Sequence, residues 1–310
     1  MLEIEKIRLG TRGSPLAMWQ ANWIKDQLEE THEGLKIELV KITTTGDKIQ
    51  DVPLAKIGGK GLFLKEIEDA LLKNKIDIAV HSMKDVPVHL PRRLCIASFT
   101  ERQDPRDALI SKNGIKLADM PQKARIGTGS MRRQTQLLNY RPDLEIVPLR
   151  GNIDTRIKKL ETEELDGIIL AAAGLIRMGW ADKITEYIDI DILLPAIGQG
   201  SVGIEARNFD IDVLEAIVAL DHEETNYALE AERGFLRVLN GGCQVPIGGY
   251  ATIQDGQLTI RGLVGDLAGK EIIKSEKTGS VEDAEYIGID LGKEILGMGA
   301  DKILKEVYDS

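Results

Sequence analysis

The segment Asn240-Gly241-Gly242-Cys243-Gln244-Val245-Pro246-Ile247-Gly248-Gly249-Tyr250 presents one of only two cysteines among four glycines and a proline. Glycine admits positive φ and close approach of other groups, so this thiol is displayed on a turn rather than packed. A cysteine so placed could be a nucleophile, a metal ligand or a point of covalent attachment. A nucleophile needs a general base beside it, and His81 is the one histidine at a promising strand end. A metal needs companion ligands. The four histidines are scattered without ligand spacing, so no metal is expected. Attachment of a group that projects into an arginine-lined cleft accommodates both the cysteine and the arginines.

Those arginines share a local setting. Arg12 and Ser14 follow a short strand, Lys6 to Leu9, at a glycine turn that opens a helix. The plan repeats at Thr128-Gly129-Ser130-Met131-Arg132-Arg133, after a strand at Arg125 to Gly127. Arg150 and Arg156 follow the strand Glu145 to Leu149, and Arg177 follows the buried strand Gly167 to Ala173. Helix N-termini after glycine turns bind anions. Cations in a first turn oppose the helix dipole, so an anion is the expected partner of Arg132 and Arg133. Arginine grips carboxylates and phosphates bidentately, which suits a ligand carrying several of them. Surface ion pairs with Asp143, Glu145 and Asp154 are the alternative.

A second group lies beyond the strand Ile76 to His81, in Ser82-Met83-Lys84-Asp85-Val86-Pro87. In open α/β sheets ligands bind beyond the carboxyl ends of strands. Lys60 and Phe63 lie where a long polar loop, about 45–61, meets a helix from Leu62 to Asn74. A loop of that length reads as a lid. Cys95, flanked by Leu94, Ile96 and Ala97, reads as an inert core thiol.

The elements that must position these groups follow from periodicity and caps. Ser14 and Pro15 start a helix as N-cap and first helical residue, with Leu16, Trp19, Trp23, Ile24 and Leu28 as its apolar positions. Strands are expected at Leu35 to Thr44 and Leu94 to Phe99. Thr100 to Asp107 reads as a hinge. Leu193 to Arg207 reads as a glycine-rich segment crossing back, with little Rossmann character. Asp212 to Leu239 is helical with a break near Asp221-His222-Glu223. Strands at Gln257 to Val264 and Glu271 to Lys277, then a helix from Val281 to Leu296, make a small tail domain.

Composition narrows the classes. The chain has 310 residues, 43% hydrophobic and 29% charged, which suits two or three globular domains. Aromatics are 4% and the net charge is −10. Neither a stacking surface for single-stranded nucleic acid nor a global attraction to polyanions is expected. No stretch approaches the roughly 20 apolar residues that span a bilayer. Met1 to Lys6 lacks a basic region followed by an apolar core. A cytoplasmic protein with reduced thiols is expected.

The motifs resemble those of the hydroxymethylbilane synthase (porphobilinogen deaminase) family. The matching stretches are Thr11-Arg12-Gly13-Ser14-Pro15-Leu16-Ala17, Gly59-Lys60-Gly61-Leu62-Phe63 and His81-Ser82-Met83-Lys84-Asp85-Val86-Pro87. Arg102 to Asp107, Gly127 to Arg133, Arg150 to Arg156, Gly198-Gln199-Gly200 and the Cys243 loop continue the series in the family's order.

The resemblance implies an α/β fold. Two periplasmic-binding-protein-like α/β domains would form a cleft, residues 1–100 with 200–218 and residues 101–199, followed by a small C-terminal α+β domain, 219–310. It implies a dipyrromethane cofactor joined by a thioether to Cys243 and built from the enzyme's own substrate, porphobilinogen. Four further units would be added, each losing ammonia, before hydrolysis releases hydroxymethylbilane. Asp85, Arg12, Lys60 and Phe63 would be the catalytic positions. Lys84, Ser82, Thr128, Ser130, Arg132, Arg133 and Arg156 would hold the cofactor. Arg12, Ser14, Arg150, Arg156, Arg177 and Gln199 would bind substrate. The enzyme would act as a monomer. A non-catalytic receptor for a small polycarboxylate, with Cys243 free, is the alternative from another class. A cysteine hydrolase using His81 is a third.

Overall fold

Strand–turn–helix units recur along the chain because their stop and start signals are local. The computed structural model describes residues 4–48, 64–241 and 245–309. The chain divides into two compact units, one of residues 1–103 and 201–226, the other of 104–200 and 227–310.

In the first unit, strand β1 (Lys6–Thr11) leads into helix α1 (Pro15–Thr31). Ser14 caps α1, its Oγ accepting the Ala17 amide at 3.3 Å, and Pro15 fills the first turn. Gln20, Ala21, Ile24 and Leu28 form the buried stripe. Trp19 is exposed and stacks on Trp23, with ring centroids 6.3 Å apart. Of the expected apolar positions, Ile24 and Leu28 are buried and Trp23 packs partly buried against the core, whereas Trp19 lies outward. Strand β2 (Lys36–Lys41), helices α2 (Thr45–Lys48) and α3 (Lys65–Leu72), and strands β3 (Ile78–Ser82) and β4 (Leu94–Phe99) follow. Asn74, with φ 55°, ends the turn after α3.

The second unit opens with β5 (Asp107–Ser111), β6 (Arg125–Gly127), α4 (Met131–Tyr140) and β7 (Glu145–Val147). Next come α5 (Ile153–Thr162), β8 (Gly167–Ala171), α6 (Ala172–Arg177) and β9 (Glu186–Tyr187). The chain then returns to the first unit as β10 (Val202–Arg207) and α7 (Ile211–Val218). Gly198 and Gly200 hold φ of 73° and 94° ahead of β10, a left-handed backbone that favours glycine. Helix α8 (Glu223–Val238) contains the boundary at 226/227. Strands β11 (Ile247–Gln254), β12 (Gln257–Gly265) and β13 (Ile272–Ser280) and helices α9 (Ala284–Ile295) and α10 (Asp301–Asp309) complete the chain.

The strand order is β2-β1-β3-β10-β4 in the first unit and β7-β6-β8-β5-β9 in the second, plus β11-β12-β13. Each five-stranded sheet has three parallel strands followed by an antiparallel one, β10 or β5. Both antiparallel strands differ from expectation. Asp107 is the first residue of β5 rather than loop, and the crossing segment ends in β10, buried at all six positions. β11 is a further strand unforeseen, paired throughout its length with β12.

In the first sheet, Ile24 and Leu28 of α1 and Val213 and Ile217 of α7 pack with Val80 and Ile204. Ile67 and Leu71 of α3 pack with Ala79 and Leu94 on the opposite face. In the three-stranded part of the second unit the core surrounds Phe235. Gly288 of α9 lies so close to α8 that a Cβ there would stand 1.9 Å from the Ala231 carbonyl oxygen.

Candidate active site

In the first unit, β1 and β3 are parallel neighbours, so both carboxyl ends reach the same edge. Thr11 donates from Oγ1 to the Ala17 carbonyl at 3.1 Å, tying the β1 exit to the first turn of α1. Arg12, Ser14 and Gln20 from this corner line a cavity of about 90 Å³ with His81, Ser82 and Asp85 from the β3 exit. The chain turns tightly at Met83–Asp85, where the buried Met83 anchors the turn and Asp85 is exposed.

Arg12 is oriented by Asp47, with Nη2 2.5 Å and Nε 3.1 Å from Oδ1. Thr44 Oγ1 donates to the other oxygen at 2.8 Å. Burial favours the neutral carboxyl of Asp47, but the hydrogen bonds from Arg12 and Thr44 prevail and hold it below the usual carboxylate range. Helix α2, which carries Asp47, is pinned to α3 by Thr45, whose N–H and Oγ1 donate to Glu66 Oε1. Gln20 Nε2 donates to Ser82 Oγ at 3.0 Å, joining α1 to β3 at the cleft.

Asp47 and Gln20 are site residues that the sequence reading missed. Gln20 carries a signal, since it is an amide in the apolar stripe of α1. Asp47 lies in the polar stretch read as a lid and carries none.

In the second unit, Thr128 and Ser130 shape the start of α4. Thr128 is buried and its Oγ1 accepts the Ser130 amide at 3.3 Å, while Ser130 Oγ caps the helix at the Arg133 amide. Arg132 and Arg133 turn inward. Arg132 Nη1 lies 2.7 Å from Asp107 Oδ2, and Arg133 Nε and Nη2 lie 2.9 and 2.7 Å from Oδ1. Gln199 Nε2 donates to Oδ1 at 3.0 Å. Asp107 has no exposed surface. Burial opposes its charge, but the two guanidiniums hold its carboxyl far below the ordinary range. The anion expected for these arginines is thus met, in this structure, by Asp107 of the same unit, and their guanidiniums are not in surface ion pairs.

Arg156 Nε donates to the Gly151 carbonyl at 2.7 Å, at the turn that Arg150 opens. Arg177 Nη2 donates to the Gly200 carbonyl at 2.7 Å, and burial lowers its guanidinium to about 10. Arg150 and Lys84 are partly buried. Cys243, Lys60 and Phe63 lie outside the described residues.

Burial raises the Cys95 thiol, and the Glu205 charge adds to this, which keeps it a thiol at neutral pH. Among the described residues, no group of three or more His, Cys, Asp or Glu is placed to hold a metal ion. No helix among them is long and apolar enough to cross a membrane.

The donor chemistry of the first-unit cleft suits a pyrrole bearing carboxylates. Arg12, Ser14, Gln20 and Ser82 offer N–H and O–H groups to acids, and the exposed Asp85 offers an acceptor to ring N–H groups.

The family description "porphobilinogen deaminase, dipyromethane cofactor binding domain" matches residues 7–215, and "porphobilinogen deaminase, C-terminal domain" matches residues 227–297. The porphobilinogen deaminase of Geotalea uraniireducens (strain Rf4) is 52% identical over 307 residues, 99% of this chain and 96% of that protein. That of Syntrophotalea carbinolica is 54% identical over 298 residues, 96% and 95% of the two chains. Among solved structures, the periplasmic aliphatic sulphonate binding protein SsuA from Escherichia coli is 14% identical with a TM-score of 0.41, covering 76% of this chain and 71% of that one. Matched along almost its whole length, the chain belongs to the porphobilinogen deaminase family.

Proposed function

We propose that this chain is a hydroxymethylbilane synthase, a transferase that joins four porphobilinogen units head to tail with loss of ammonia and releases the linear tetrapyrrole. The observation that carries this reading is the cleft at the shared edge of β1 and β3. It sets one exposed carboxylate, Asp85, among a cation, two hydroxyls and an amide.

Each substrate bears an acetate and a propionate. Arg12, held by Asp47, binds one of these acids and assists proton transfer to the leaving amine. Ser14, Gln20 and Ser82 orient the ring through hydrogen bonds. Asp85 accepts from pyrrole N–H groups and stabilises positive charge as the carbon–nitrogen bond breaks. A fixed carboxylate where positive charge develops lowers the barrier electrostatically. Lys60 and Phe63 are the remaining proposed catalytic positions.

The dipyrromethane cofactor supplies, when bound, the nucleophilic pyrrole carbon that primes the chain, and Cys243 is its point of attachment. Lys84, Ser82, Thr128, Ser130, Arg132, Arg133 and Arg156 are its proposed polar partners. For Arg132 and Arg133 this means shaping the local fold around Asp107 as well as contributing positive potential. Arg150, Arg156, Arg177 and Gln199 are the proposed partners of the growing chain's acids.

Residues 101–199 and 219–310 are read as separate domains, the latter built on β11, β12 and β13. The enzyme is read as a cytoplasmic monomer that uses no nucleic acid, and light scattering after gel filtration checks the monomer.

Intact mass decides the central reading. The protein should weigh one dipyrromethane more than its sequence, and Cys243→Ser should lose that increment. An unmodified yet active protein would sink the proposal. Two reactive thiols under denaturing conditions, with no porphobilinogen consumed, would favour the polycarboxylate receptor.

A further inference from the structure

Beneath the cleft lies a buried pair that the roles above leave unused. His81 on β3 stands opposite Gly203 on the antiparallel β10, and Glu205 stands opposite Ala79. Residues two apart on one strand share a face, so His81 and Glu205 leave the sheet on the same side, the side covered by α3. His81 Nε2 lies 2.8 Å from Glu205 Oε2, and the side chains are 7% and 0% exposed. The second oxygen, Oε1, is buried with no hydrogen-bond partner among the described residues.

A buried carboxylate with an orphaned oxygen is costly, so its retention beside a histidine marks the pair for a role in function. A carboxylate at Nε2 keeps the ring proton there and leaves the lone pair on Nδ1. His81 also lines the cleft with Ser82 and Asp85, and Nδ1 makes no hydrogen bond to a described residue.

Two titratable groups pack around the pair. Glu68 of α3 is held above the ordinary carboxylate range by burial and by the Glu205 charge, with His81 opposing. Cys95 of β4 is raised by burial and by Glu205. Both neighbours are thereby biased toward their neutral forms, while Arg12 and Asp85 face the cleft itself.

We propose that His81 is the proton acceptor of the coupling step and that Glu205 is its positioning residue, a role that rests on the synthase reading. Coupling joins the methylene of one unit to the free α-carbon of the pyrrole at the end of the growing chain. The α C–H bond then breaks, its electron pair restores the aromatic ring, and its proton goes to His81 Nδ1. The charge so formed is balanced by Glu205. The proton returns to the amine that leaves in the next addition, so each cycle closes without an outside acid or base.

Two readouts test this. Nitrogen-15 NMR of the unaltered protein, with the His81 signal assigned from His81→Asn, should show a neutral ring protonated at Nε2 and bare at Nδ1. A ring protonated at Nδ1 would overturn the proposal without any turnover being measured. Turnover is then compared for ordinary porphobilinogen and porphobilinogen deuterated at its free α-carbon. The wild-type isotope effect should lie near unity. His81→Asn should slow turnover about a hundredfold and raise the isotope effect well above unity, because C–H cleavage becomes limiting. Glu205→Gln, which keeps shape and removes charge, should fall between the two. Slowed turnover with the isotope effect still at unity in both variants would reduce the pair to a structural role. Failure of the wild type to consume porphobilinogen would overturn the synthase reading itself, separately from the NMR result.

Discussion

Arg12 and Asp47 are bound to one another beside the first-unit cleft, guanidinium Nη2 to carboxylate Oδ1 at 2.5 Å. A substrate acid that binds Arg12 therefore meets a guanidinium already oriented and partly neutralised. Asp47→Ala should raise KM for porphobilinogen about tenfold, the equivalent of roughly one charge-assisted hydrogen bond, with kcat less affected. Steady-state kinetics checks this, and an unchanged KM would free Arg12 from dependence on Asp47.

Asp85 is exposed at the β3 exit and makes little contribution to packing. Asp85→Ala should keep its melting temperature and lose about 10²- to 10³-fold in turnover, the usual cost of one preorganised electrostatic partner. Turnover close to that of the wild type would remove Asp85 from the mechanism.

Asp107 is the opposite case. It is fully buried and holds Arg132, Arg133 and Gln199. Asp107→Ala leaves two buried guanidiniums without their counter-ion and should cost about 3–5 kcal/mol. Urea unfolding measures the loss. Removal of the exposed Glu164, paired with Arg125, should change stability by less than about 1 kcal/mol.

The same carboxylates set the acid limit. Asp107 is depressed by Arg132 and Arg133 against the cost of burial. Asp77 is likewise depressed by hydrogen bonds from Arg8 and Arg207, against burial. A carboxyl depressed in the fold binds protons more weakly than in the unfolded chain, where its value is about 3.9. Its stabilisation is complete above that value and is lost as pH falls through the lower folded value. Stability should hold from neutrality down to about pH 5 and then drop steeply. Thermal melts across this range check it; a melting temperature that does not fall between pH 5 and pH 3 would contradict it.

Local chemistry was legible in the sequence where the physics is local. Ser14 with Pro15, and Ser130 before Met131, announce helix starts because capping involves residues three apart, and both caps form. The placement of Arg12, Ser14, Ser82 and Asp85 at the ends of two strands followed from the same signals. Their convergence on one cleft needed the parallel pairing of β1 with β3.

What remained hidden involves groups whose partners are far away in the chain. Val202 to Arg207 reads as a glycine-rich crossing because Gly203, Glu205 and Arg207 interrupt its apolar residues. It is a central strand because Glu205 meets His81, 124 residues away, and Arg207 meets Asp77, 130 residues away. Arg132 and Arg133 read as exposed anion binders because Asp107, 25 and 26 residues earlier, looked like part of a hinge. By itself the sequence determined the helix starts, the strand-end arginines and the family. Tertiary structure alone decided which charges face inward, because a buried charge is tolerated only where the fold delivers its counter-charge.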